Sequence, residues 1–163
     1  YSMHLDTRKR LGAIPYEKSF FKYLFQSIGK NTLLFSCISP KHKLPIAYLL
    51  VFLHKKEAIS GHLVYDYSLR NLRASDFLFH ETFKYLSKLN IQLFRFGADN
   101  KFQHSLIRSK KDLGAKTYNQ LDLLISKNAI DNNLPFSIAS TTVSYIPRFL
   151  FKLSAKLVNI YFD

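Results

Sequence analysis

The spacing of apolar positions along the chain changes several times, and each change marks an element. Between Tyr16 and Ile28, the residues Phe20, Phe21, Leu24, Phe25 and Ile28 recur at three- and four-residue intervals, which predicts a helix with one apolar face and Gly29 placed to close it. Three β-like runs follow: Thr32 to Ile38, Ile46 to His54 and Ala58 to Tyr67. The segments between them, Ser39 to Pro45 and Lys55 to Glu57, are short and polar or proline-bearing, so the runs are expected to form an antiparallel meander. The middle run, IAYLLVFLH, is apolar at successive positions, as a central strand covered on both faces requires.

The period then lengthens again. From Ala74 to Asn90, the residues Leu78, Phe79, Thr82, Phe83, Leu86 and Leu89 share a face, and Ser75 or Asp76 stands where it can cap the start. Ile91 to Phe96 reads as a short strand ended by Gly97, Lys101 to Leu113 as a helix stopped by Gly114, and Lys116 to Ile125 as a further strand. A β-meander followed by α-β-α-β predicts an α/β (α+β) fold with a mixed sheet and helices packed on it. The last stretch differs in kind. From Pro147 an amphipathic helix is expected in which Arg148, Lys152 and Lys156 form one stripe and the remainder is apolar. Candidate covers for that surface are the sheet, a second domain, a second subunit or an anionic membrane surface. The expected organisation is a domain over residues 1–130 and a linker with the apolar helix over residues 131–163.

With 163 residues, the chain is long enough for one core, and 47% hydrophobic with 21% charged residues is a globular composition. No run reaches the length of a spanning helix, and the single cysteine, Cys37, forms no intramolecular disulfide or cysteine metal site and reads as core filler. These features suit a cytoplasmic protein, with the C-terminal helix as a means of contacting the inner face of the membrane. The absence of an initiator methionine suggests a piece of something longer. The formal charge of +13 changes the picture most, because it favours nucleic acid, phosphorylated ligands or anionic lipid as partners. The six histidines are scattered without a His-x-x-x-His pair, and neither a Gly-x-Ser-x-Gly elbow nor a phosphate loop occurs, so zinc hydrolase, serine hydrolase and NTPase readings lack support.

Three phrases carry a family resemblance. Thr7 to Pro15, TRKRLGAIP, precedes the aromatic helix containing Ser19-Phe20-Phe21. Tyr65-Asp66-Tyr67-Ser68 closes a strand ahead of the helix from Ala74 and the strand-turn Leu93 to Asp99. Ser105 to Ala115, SLIRSKKDLGA, is similar to a helix in which an aromatic-Lys pair precedes an aromatic-Gly, with Ser109 standing at the aromatic position. In element order and in these phrases, the stretch from Thr7 to Ile125 resembles the GNAT acyltransferase fold, more narrowly the second GNAT-like domain of Fem-type aminoacyl or peptidyl transferases. The resemblance implies an upstream domain or a homodimer partner. It also implies transfer of an acyl or aminoacyl group to an amine of a cell-envelope or polysaccharide precursor, with acyl-CoA or aminoacyl-tRNA as donor. The alternative is a non-catalytic basic module of the same fold for an anionic partner, RNA or a membrane surface.

The resemblance also implies site residues. Acetyl-CoA enzymes of this fold carry a Gln/Arg-x-x-Gly-x-Gly/Ala turn whose amides hold the donor pyrophosphate. The corresponding turn here is Arg70-Asn71-Leu72-Arg73-Ala74-Ser75, which lacks both glycines and leaves Arg70 and Arg73 to meet a phosphate through their guanidinium groups. Lys110 is the candidate cation for a developing oxyanion, Asp99 the group that accepts a proton or orients the amine, and Tyr67 the candidate general acid. For each the structural alternative is a surface lysine, a helix cap and aromatic packing respectively.

Overall fold

A computed structural model describes residues 1–41, 43–99 and 103–118, together with Pro147 and Phe151. Helix α1 (Ser2–Arg10) and helix α2 (Lys18–Ile28) lead into strands β1 (Thr32–Ile38), β2 (Pro45–His54) and β3 (Glu57–Tyr65). A 3-10 turn over Tyr67–Leu72 connects to α3 (Ala74–Lys88), followed by β4 (Leu93–Arg95) and α4 (His104–Asp112). The sheet order is β1-β2-β3-β4, with the first two pairings antiparallel and β3 against β4 parallel. The expected meander and mixed sheet are therefore present, with strand ends within two residues of the runs read from the sequence.

Burial explains the central strand. Leu49 of β2 pairs with Leu63 of β3, and both belong to the cluster under α3, whereas the next pair, Leu50 and His62, turns to the opposite face because successive strand residues alternate. On the first face, α3 lays Ala74, Leu78, Phe79 and Leu86 against Ala47, Leu49, Val51 and Ala58. On the second, α1 packs on β3 and buries His4, Leu5 and Thr7. Opposite the Leu50–Val51 step of β2, Gly61 is the extra residue of a bulge in β3, and a Cβ on it would stand 2.3 Å from the Phe52 ring.

Several expectations change. α1 was not legible, because its buried face is His4, Leu5 and Thr7 and so shows almost no apolar period. α2 has its apolar stripe, yet none of its residues is buried, and Tyr23 is 64% exposed. The cap of α3 is neither Ser75 nor Asp76 but Arg73, in left-handed backbone at φ 51°, ψ 37°. Lys116 to Tyr118 are not in a strand, and the rest of the expected strand to Ile125 lies outside the described residues. Of the expected C-terminal helix only Pro147 and Phe151 are described: the Phe151 N–H donates to the Pro147 carbonyl at 2.9 Å, a helical i to i−4 bond, and Phe151 is buried. Its remaining residues, and the expected boundary near residue 130, lie outside the described residues. Among the described residues no helix is long and apolar enough to cross a membrane.

Candidate functional site

The parallel strands part early. β3 and β4 pair only over Glu57↔Leu93, Ala58↔Phe94 and Ile59↔Arg95, after which β4 ends while β3 continues to Tyr65. From Ser60 onward that edge of β3 has no strand partner among the described residues, leaving backbone donors and acceptors open to an extended ligand. Phe79 and Phe83 of α3 pack against Phe94 and Phe96 in three edge contacts and one tilted one, which anchors β4 to the helix at the base of the gap.

At the far end of β3, the turn to α3 holds three of the residues singled out from sequence. Asp66 Oδ1 accepts from the Ser68 N–H at 2.9 Å and from the Ser68 hydroxyl at 2.6 Å, an Asx-type closure that starts the 3-10 helix. Tyr67 opens that helix rather than continuing the strand, so it does not alternate with Tyr65, and the two rings sit 6.2 Å apart. The Arg70 guanidinium lies 4.7 Å from the Tyr67 ring centroid, and Arg73 Nε donates to Asp76 Oδ2 at 2.7 Å. Within the turn the Arg73 N–H donates to the Arg70 carbonyl, and the N–H groups of Asp76 and Phe77 return to the Arg73 carbonyl. The N–H groups of Ala74 and Ser75, at the start of α3, are not used by these bonds, and no glycine stands beside them. The left-handed conformation survives without the glycine that adopts it freely: Arg73 occupies it instead.

Lys110 and Asp99 form a separate corner, and the fold brings them together. Lys110 lies on the inner side of α4 with Ile107 and Leu113, its side chain 17% exposed. Its Nζ lies 2.6 Å from both Asp99 oxygens, to which it donates, and 3.4 Å from the Phe96 carbonyl. Asp99 is thus an ion-pair partner across the β4–α4 connection rather than a helix cap. Gly114 does stop α4, at φ 87°.

A cluster that sequence reasoning missed joins α1 to β3. The Tyr16 N–H donates to His4 Nε2 at 3.0 Å, and since a backbone amide only donates, the neutral His4 ring carries its proton on Nδ1 and donates it to His62 Nε2 at 2.7 Å. Tyr1, Tyr16 and Phe21 pack rings around His4. Burial, reinforced by the neighbouring His62 and by Arg8, lowers the His4 pKa to about 4; burial and Arg8 lower that of His62 as well. Both ring nitrogens of His4 are committed, so this histidine fastens structure and is not a free base. The only sequence signal was a histidine inside a β-like run, 58 positions from its partner.

No protein-family model matches the chain, and no curated protein matches it by sequence. Solved structures do match by shape. A probable acetyltransferase superposes with a TM-score of 0.61 at 12% identity, over 78% of this chain and 90% of its own. The BH1408 protein from Bacillus halodurans, as a tetramutant, gives 0.56 at 16% identity over 77% and 88%. The ribosomal-protein-S18-alanine N-acetyltransferase from Escherichia coli gives 0.53 at 19% identity over 69% and 68%. Identities this low speak to architecture alone. With a mixed sheet, a meander, two parting parallel strands and acetyltransferase structures of the same shape, the chain has the GNAT acyltransferase fold.

Proposed function

We propose that the chain is an N-acyltransferase that brings an acyl donor and an amine together at the gap between β3 and β4. The observation that carries this reading is the open edge of β3 from Ser60 to Tyr65, where an extended donor can add backbone-like hydrogen bonds beside a helix that starts at the strand's end. In the reaction the amine nitrogen attacks the acyl carbonyl carbon, the C–N bond forms and the bond to the donor's sulfur or oxygen breaks. The amine gives up one proton and the leaving atom gains one. Tyr67, half exposed at the end of β3, is the candidate for supplying that proton.

Arg70 and Arg73 in place of a glycine cradle, together with the charge of +13, support a donor whose phosphates are gripped by side chains, acyl-CoA or aminoacyl-tRNA. The Fem-type phrases support an amine of a cell-envelope or polysaccharide precursor as acceptor. Lys110 acts on a substrate oxyanion only by giving up Asp99, and two variants separate its roles. If Lys110→Ala and Asp99→Asn lose transfer and stability in parallel, the pair positions α4. If transfer falls about 100-fold in Lys110→Ala alone, the lysine charge meets the reaction. The primary test offers the protein acetyl-CoA and aminoacyl-tRNA with amine acceptors and reads the product by mass. Transfer from either supports the proposal, and none from both overturns it. The second reading, a basic module without turnover, draws on the pairing of Lys110 with Asp99. Steep salt dependence of RNA binding with no transfer would establish it.

A further inference from the structure

A groove of about 530 Å³ opens at the end of β3, between α1, the start of β2 and the stretch from Tyr65 to Ser68. Its walls mix charges. Arg10, at the C-terminal end of α1, stacks its guanidinium 4.6 Å from the Tyr67 centroid and 5.2 Å from that of Tyr65, and has no ion pair among the described residues. A guanidinium lying over a ring keeps its N–H groups available for the two bonds by which it recognises a carboxylate. Asp66 also lines the groove. Its bonds to Ser68 fall on Oδ1, and Oδ2 has no donor among the described residues. Asp6, engaged elsewhere, adds a second negative charge.

An anion alone would be repelled by Asp6 and Asp66, and a cation alone by Arg10. We infer that the groove binds a small amphoteric molecule, an α-amino acid or short peptide, with its carboxylate on Arg10, its ammonium on Asp66 and its apolar part against Pro45 and Tyr65. Under the acyltransferase reading, on which only this last assignment rests, that ammonium is the acceptor amine.

Calorimetric titration of the full chain with L-leucine, L-leucinamide and N-acetyl-L-leucine tests the site without turnover. Leucine is expected to bind about tenfold more tightly than either analogue, each of which lacks one charge. Arg10→Gln, at an exposed position, should abolish the preference over leucinamide and keep that over N-acetyl-leucine. No leucine binding, equal affinity for all three compounds, or unaltered discrimination in Arg10→Gln would each overturn the inference. Binding as expected with no acyl transfer from either donor would instead remove the transferase reading and leave the groove's assignment standing. Transfer to other amines without leucine binding would do the reverse.

Discussion

On one face of the sheet, α3 meets β2 through Leu78, Phe79 and Leu86 against Ala47, Leu49 and Val51, a contact dominated by hydrocarbon, with the Thr82 hydroxyl buried on the same helix face. On the other, α1 meets β3 through His4 and His62, a backbone N–H from Tyr16 and a ring of aromatic side chains. Burial on the first face is stabilised by area removed from water, which depends weakly on direction and not at all on pH. The second depends on directed bonds between groups that can charge. One sheet therefore carries a face whose strength is set by packing and a face whose strength is set by protonation, and the groove proposed to take an amphoteric ligand lies along the latter.

Truncating the packed face should give the largest effect. Leu49 is fully buried, so Leu49→Ala is expected to cost about 2–5 kcal/mol in urea unfolding, with the same loss at pH 5 and pH 7. A loss that varied with pH would show that the two faces are coupled. The histidine face should respond to acid. The His4 pKa lies at about 4 in the folded chain, below the ordinary value of 6.5, so the unfolded chain takes up its proton first. Stability from this group is complete above pH 6.5, declines as pH falls and is lost by pH 4, on the order of 3 kcal/mol in all. His4→Phe should flatten the profile of melting temperature across that window. An equally steep profile in the variant would place the acid sensitivity elsewhere. The smallest expected effect lies at the turn between the strand and α3. Arg73→Gly removes a left-handed strain of about 1 kcal/mol and an exposed ion pair worth a few tenths, leaving a modest net gain in melting temperature; a loss would mean that the clip to Asp76 holds the turn.

The legibility of the two faces follows the same division. Thr32 to Ile38 and the stripe of α3 could be read because burial against hydrocarbon imposes a period of 2 or 3.6 on the residues themselves. α1 could not, since Thr7 and His4 sit where leucines would have announced a buried face. Lys110 and Asp99 were each visible as residues of the right chemistry, while their mutual clamp was not, because it depends on how α4 folds back over Phe96.

What the sequence determined by itself is the order of elements from α2 to α4, the central placement of β2 and the stop at Gly114, all of which arise from interactions within a few residues or from a repeating pattern. The meeting of His4 with His62, the stacking of Arg10 on Tyr67 and the parting of β3 from β4 were decided only in three dimensions. Each depends on the relative position of segments far apart along the chain, and neither side of such a contact leaves a periodic trace in its own neighbourhood.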